Sequence, residues 1–97
     1  MTFQVPTLSI IIPVLNEAQA LPRLLEQLGP ARERGVEIIV VDGGSTDESE
    51  ALAEAGGARL VRSARGRARQ LAAGIDASSG EALWLLHADS DIDPLSD

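Results

Sequence analysis

The sequence contains no cysteine, no lysine and no tyrosine, and only two aromatic residues, Phe3 and Trp84. Without cysteine there can be no disulfide and no thiolate metal site, which fits a cytoplasmic protein. Without aromatics the core must be built from Ile, Leu, Val and Ala. Long apolar runs are also missing. The first one is short and interrupted by Pro13, and Met1-Thr2-Phe3-Gln4 has no basic segment, so neither a signal peptide nor a membrane span is expected. Positive charge is scarce. The net charge of −7 argues against a general nucleic-acid binder, which needs a basic face to neutralise phosphates. All eight basic residues are arginines, and five of them lie between Arg59 and Arg69. So local a concentration in an acidic chain points to an anion site, although a solvated helix face is the plainer alternative.

The 97 residues suffice for one small domain. Leu8–Val14 is a β-branched apolar run that predicts a buried strand, with Pro13 near its end. Ala18, Leu21, Leu24, Leu25 and Leu28 then follow a helical spacing, with Asn16 as the expected N-cap and Gly29-Pro30 as the stop. Val36–Val41 predicts a second buried strand. Ser45 and Glu48 form a capping-box pattern opening a helix that ends at Gly56-Gly57. Ala58–Arg62 predicts a third strand, and Ala68, Leu71, Ala72 and Ile75 a third helix. Glu81–Leu86 predicts a fourth buried strand. The order βαβαβαβ implies an α/β fold, a Rossmann-like parallel sheet covered by helices.

In such sheets ligands bind beyond the carboxyl ends of the strands. The first strand runs out at Asn16 and Glu17, the second at Asp42. Arg62 ends the third, followed by Arg65, Arg67 and Arg69, and the fourth leads to His87 and Asp89. Carboxylates suit a hard cation such as Mg²⁺ or Mn²⁺, and arginines suit phosphate. A nucleoside diphosphate carrying a transferable group combines these requirements.

The stretches "LSIIIPVLNE", "VEIIVVDGGSTD" and "LLHADSD" resemble, in order and spacing, the nucleotide-binding half of inverting family-2 glycosyltransferases of the GT-A fold. "GRARQLAAGIDASSGEALWLLHADS" is similar to a bacterial subgroup with Gly-Arg-Ala-Arg-Gln and His-Ala-Asp motifs. The resemblance implies that Pro13, Val14, Asn16 and Glu17 lie along the nucleoside and that Asp42 contacts the base, usually uracil. It places Arg65, Arg67 and Arg69 near donor phosphate or sugar, with Ala88 beside the nucleotide. Asp89 matches the last position of an Asp-x-Asp metal motif, with His87 at the first, where the family has an acid. Ala72 is a second departure, standing where the family often has Asn. Asp91, Asp93 and Asp97 fall beyond the motif and are expected to be tail charges, and Arg59 is expected to be solvated.

By the same resemblance, residues 1–97 are the nucleotide-sugar-binding part of a transferase domain that stops just after the metal motif. No residue matches the family's catalytic base, so the chain alone is expected to lack it. The implied partners are a nucleotide-sugar donor, by the resemblance a UDP-sugar, and an unknown acceptor. A peripheral membrane association of full-length family members is compatible with this. An unfinished sheet edge would favour self-association. The competing reading is a stand-alone nucleotide- or metal-binding module, or an inactive fragment.

Overall fold

A computed structural model describes residues 8–88. Asp89, Asp91, Asp93 and Asp97 lie outside them. The elements are β1 (Leu8–Val14), α1 (Leu21–Gln27), α2 (Gly29–Glu33), β2 (Glu37–Asp42), α3 (Ser49–Ala55), β3 (Arg59–Arg62), α4 (Arg67–Ala77) and β4 (Ala82–Leu85). The four strands form one sheet in the order β3-β2-β1-β4, and every pairing is parallel. The expected α/β architecture is therefore present, and all four carboxyl ends share one rim.

The two central strands are apolar between their polar ends, Ser9 and Glu37 on one rim and Asp42 on the other, because both of their faces are covered. Ile10, Ile12 and Val14 pack with Ile38 and Val40 against Leu21, Leu24, Leu25 and Leu28. On the opposite face Ile11, Ile39 and Val41 meet Leu71, Ala73 and Ala77 of α4. Pro13 is tolerated in a central strand for a reason of register. Residues of a parallel strand bond alternately to either side. Ile11 O accepts the Leu86 N–H, so Pro13, two residues on, faces the same side, beyond the last β4 partner. The missing N–H costs no ladder bond.

Three expectations need correcting. The first helix does end just before Gly29-Pro30, with Leu28 as its C-cap, but the helical path continues: the pair begins a second short segment, α2, with Pro30 in its first turn, where a missing N–H is harmless. The stop is Gly35, whose φ of 95° suits glycine, with the Val36 N–H closing back on Ala31 O. The Ser45–Glu48 capping box does not form either: α3 starts at Ser49, and Ser45 has other partners, described below. Nor is the fourth strand buried. β4 is an edge, and Leu83, Trp84 and Leu85 are all more than 40% exposed (43%, 48% and 48%). An apolar run reports that a strand will be covered, not which part of the polypeptide covers it. This open edge is the surface on which self-association was expected.

The rim at the amino ends of the strands carries a structural polar cluster. Ser9 Oγ donates to Glu37 Oε1 (2.8 Å), and Glu37 also accepts the Ser79 N–H (2.8 Å). Arg59 donates to Ala77 O (2.8 Å) and lies 3.8 Å from Glu37. Arg59 is thus not simply solvated. It ties β3 to the end of α4, on the rim opposite the carboxyl ends. No helix among the described residues is long and apolar enough to cross a membrane.

Candidate nucleotide-binding site

At the carboxyl rim, a pocket of about 230 Å³ is lined by Pro13, Val14, Leu15, Glu17, Arg67, Gln70 and His87. It adjoins a more enclosed hollow of about 310 Å³, with which it shares Pro13, Arg67 and His87. Three separate segments meet here: the loop after β1, the start of α4 and the end of β4. Five of the expected residues, Pro13, Val14, Glu17, Arg67 and His87, therefore surround one space. Arg67 Nη2 sits 2.7 Å from His87 Nδ1 and also contacts Nε2. The imidazole is engaged by a guanidinium.

Arg65 and Arg69 do not join Arg67. Both are exposed and neither lines the pocket. The cause is helical geometry: two residues along an α-helix is about 200° of rotation, so Arg67 and Arg69 cannot share a face. Arg65 precedes the helix. Arg62, at the end of β3, is held by a two-pronged pair with Glu50 of α3, with Nη2 2.9 Å from Oε1 and Nε 3.1 Å from Oε2. Ala88 is 3% exposed and packs in the core with Leu86 rather than on the pocket surface.

Asn16 is not a helix cap, since α1 begins four residues beyond Glu17, at Leu21. It is the only non-glycine residue with positive φ (54°) among those described. Its Oδ1 accepts the N–H groups of Thr46 (2.8 Å) and Asp47 (3.3 Å), and its own N–H donates to Ser45 Oγ (2.9 Å). The Glu17 N–H donates to Ser49 Oγ (2.9 Å) and the Ala18 N–H to Asp47 Oδ2 (3.1 Å). The loops after β1 and β2 are thereby zipped together, which fixes the backbone that carries Glu17. Asp47 takes donation from the Ser49 hydroxyl first and from backbone N–H groups next, and its carboxyl is held below the usual range. Replacing Asn16 separates its two contributions. Asn16→Gly keeps the backbone conformation but loses the acceptor, at an expected cost of about 1 kcal/mol. Asn16→Ala adds left-handed strain and is expected to cost about 2 kcal/mol. Urea unfolding of the two variants checks the difference.

Asp42 is 1% exposed and is not among the residues that line this pocket. Oδ2 accepts the N–H groups of Gly44 and Ser45, each at 2.9 Å, and Oδ1 accepts the Ser45 hydroxyl. Burial opposes ionisation, but these donors outweigh it and hold the carboxyl below its ordinary range. A side chain so enclosed shapes the loop from beneath.

Of the two pocket residues that the sequence reading did not assign, Leu15 and Gln70, the second makes specific polar contacts. It is buried, and Nε2 donates to both Val14 O (2.9 Å) and Val41 O (3.1 Å), bridging the ends of the central strands. A signal was available: Arg67, Gln70, Leu71 and Gly74 follow i, i+3, i+4, i+7, one inward face of α4.

Among the described residues, no three His, Asp or Glu side chains converge as a metal site. Glu17 and His87 border the pocket, and Asp89, the principal expected ligand, lies outside the described residues.

The chain is 35% identical over 79 residues to glucosyl-3-phosphoglycerate synthase of Mycobacterium tuberculosis, a match covering 80% of the chain and 24% of that protein. It is 35% identical over 94 residues to a PGL/p-HBAD biosynthesis glycosyltransferase of Mycobacterium bovis, covering 90% of the chain and 37% of the relative. A crystal structure of the M. tuberculosis synthase with Mn²⁺, UDP and glucosyl-3-phosphoglycerate superposes with a TM-score of 0.79 at 30% identity, covering 86% of this chain and 33% of that one. Another structure of that synthase holds Mg²⁺ and UDP. The chain thus spans roughly a quarter to a little over a third of the length of these relatives. The model of the glycosyl transferase family 2 matches residues 9–96, nearly the whole chain, and the chain belongs to that family.

Proposed function

We propose that this chain forms the nucleotide-sugar-binding part of an inverting, metal-dependent glycosyltransferase that draws its sugar from a UDP-sugar. The observation that carries the reading is the pocket itself. Glu17, Arg67 and His87 surround one space at the carboxyl rim of a parallel sheet, where ligands of such sheets bind. The similar synthase has been crystallised with UDP and with either Mn²⁺ or Mg²⁺, which supports the same ligand class here.

In this reading Pro13, Val14 and Leu15 form the apolar wall beside the nucleoside. Arg67 neutralises the diphosphate, and its contact with His87 restrains the guanidinium before a ligand arrives. Asp89 would hold the divalent cation, with His87 as a second candidate ligand. A bound Mg²⁺ or Mn²⁺ supplies charge stabilisation for the departing diphosphate. Asp42, Asn16 and Asp47 keep the two loops in place. The acceptor hydroxyl attacks the anomeric carbon from the face opposite the diphosphate, and the base that takes its proton belongs to the part of the relatives' length that this chain does not span.

Calorimetry with UDP, in Mn²⁺ or Mg²⁺ and again in EDTA, tests the proposal. Binding is expected to be weak, on the order of the millimolar to micromolar range, and tighter by roughly tenfold with metal. Asp89→Ala is expected to remove that metal dependence. Equal affinity in EDTA would defeat the metal assignment, and absence of UDP binding under every condition would defeat the nucleotide assignment.

A further inference from the structure

All of β4, Ala82-Leu83-Trp84-Leu85, is exposed, and among the described residues β1 is the one strand it pairs with. Register is strongly specified where one face of a strand is buried, and weakly where neither is. The run from Ala82 to Leu86 is moreover apolar on both faces. A slip of two residues along β1 keeps every side chain on its own face and puts one apolar residue in the place of another, Trp84 in that of Leu86. The hydrogen-bond ladder repeats with the same period, so it does not choose between the two registers either. At the exit end the buried volumes of Leu86 and Ala88 oppose the slip. The entry end needs a contact that recognises particular residues.

The amino rim supplies it. The Gly80 N–H donates to Ser9 Oγ and the Ser79 N–H to Glu37 Oε1, each at 2.8 Å. Ser9 Oγ donates in turn to the same Oε1, also at 2.8 Å, and Ser9 is 0% exposed, so water does not stand in for these partners. The fit of the backbone is equally selective. A Cβ on Gly80 would stand 2.5 Å from Ser9 Oγ, 2.6 Å from Ser9 N and 2.8 Å from Leu8 C. The chain passes β1 this closely only because residue 80 has no side chain. A slip of two would bring Ser78 or Ala82 to that place, and each carries a Cβ.

We propose that Ser9, Glu37 and Gly80 form a register clasp at the amino rim that positions His87 at the opposite, carboxyl rim. A strand advances about 3.3 Å per residue, so a slip of two moves His87 by about 7 Å. Arg67 Nη2, 2.7 Å from His87 Nδ1, does not follow, because α4 is seated on the sheet through Leu71, Ala73 and Ala77. Asp89, two residues on in the sequence, is displaced with His87. Ser9 and Glu37 are thus positioning residues that act on the pocket through the length of β4. Their importance for ligand binding rests on the nucleotide-binding reading above.

Amide hydrogen exchange followed by NMR, with UDP calorimetry beside it, tests the clasp. Ser9→Ala and Glu37→Ala remove it. Glu37→Gln keeps Oε1, the atom to which both Ser9 and Ser79 donate, and is the conservative variant. In the two alanine variants the Leu86 N–H, which donates to Ile11 O, is expected to lose protection about tenfold more than the N–H groups of the β1–β2 ladder. The ring resonances of His87 are expected to shift. The gain in UDP affinity on adding Mn²⁺ is expected to fall from about tenfold to about twofold, and Glu37→Gln to restore all three readings. Gly80→Ala leaves Ser9 and Glu37 in place and crowds the connection instead. It is expected to give the same signature, and it serves where an alanine variant at position 9 or 37 does not fold. Protection lost by equal factors at Leu86 and in the β1–β2 ladder would mean that these residues only stabilise the fold, and would overturn the proposal. So would His87 resonances that stay in place, or a full Mn²⁺ gain in Glu37→Ala. Failure of UDP to bind the unaltered chain would overturn the nucleotide reading alone, since exchange and the His87 resonances still decide the register.

Discussion

Gly74→Ala is expected to destabilise the fold by about 1–3 kcal/mol, and Gly74→Val by more. The reason is the close approach of α4 to the sheet. A Cβ on Gly74 would stand 2.5 Å from Ile11 Cγ2 and 3.0 Å from Val41 Cγ2. Neither neighbour can yield easily, because both are fully buried in central strands, at 0% exposure. Helix and sheet would have to separate, and the contacts of Leu71, Ala73 and Ala77 with Ile11, Ile39 and Val41 would weaken together. Urea unfolding measures the loss. Ile11→Ala removes the atom nearest the clash, so the double variant Gly74→Ala/Ile11→Ala is expected to be more stable than the sum of the two single effects predicts. Simple additivity would show that the helix has moved without meeting Ile11.

The same variant connects packing to the site. α4 brings Arg67 and Gln70 to the pocket from the face that Gly74 seats on the sheet. Lifting the helix changes the distance from Gln70 to Val14 O and Val41 O, and with it the pocket floor. Ligand affinity should therefore fall in Gly74→Ala even under conditions where the variant is fully folded.

The strands of this fold were legible because runs such as Ile10-Ile11-Ile12 and Ile38–Val41 have one explanation, burial on both faces. The parallel order followed from the helical spacing between them, and it placed the polar groups on one rim. What was not legible depended on partners distant in the chain. Asn16 has the composition of an N-cap, yet its oxygen is claimed by Thr46 and Asp47, some 30 residues away. Ser45 has the spacing of a capping box, yet its hydroxyl turns back to Asp42. Asp42 offers a carboxylate at a strand end, and its bonds to the N–H groups of Gly44 and Ser45 could not be read from composition. The error on β4 has a different cause: the apolar run was recognised, but periodicity carries no information on whether the strand is central or an edge. Gln70 was not legible because a glutamine beside arginines on a helix reads as a solvated face until the partners at Val14 O and Val41 O are known.

Asp42→Asn is expected to cost about 3 kcal/mol at neutral pH, and that cost should shrink in acid. The magnitude follows from the bonds. Two backbone N–H groups and one hydroxyl donate to a buried charged acceptor, and hydrogen bonds to charged groups contribute about 1.5–3 kcal/mol each, part of which the solvent near the loop restores. An Asn carboxamide offers one acceptor oxygen and an NH₂ that faces other donors. The pH dependence follows from the direction of the Asp42 shift. Burial alone would raise the value, but donation by Ser45 and Gly44 lowers it below the ordinary carboxylate range. In the unfolded chain the group titrates near its usual value of about 3.9. Between that value and the lower folded one the unfolded state binds more protons, so acid favours unfolding. The contribution is complete above about pH 4 and fades as pH falls through the folded value. Unfolding midpoints for the unaltered chain and Asp42→Asn, measured from pH 7 down to about pH 2, should draw closer toward the acid end. A gap that stays constant across this range would mean that the variant disrupts packing rather than a charge-assisted loop. If the gap narrows, the loop after β2 is held by an ionised carboxylate, and acid should loosen the loop before it unfolds the sheet.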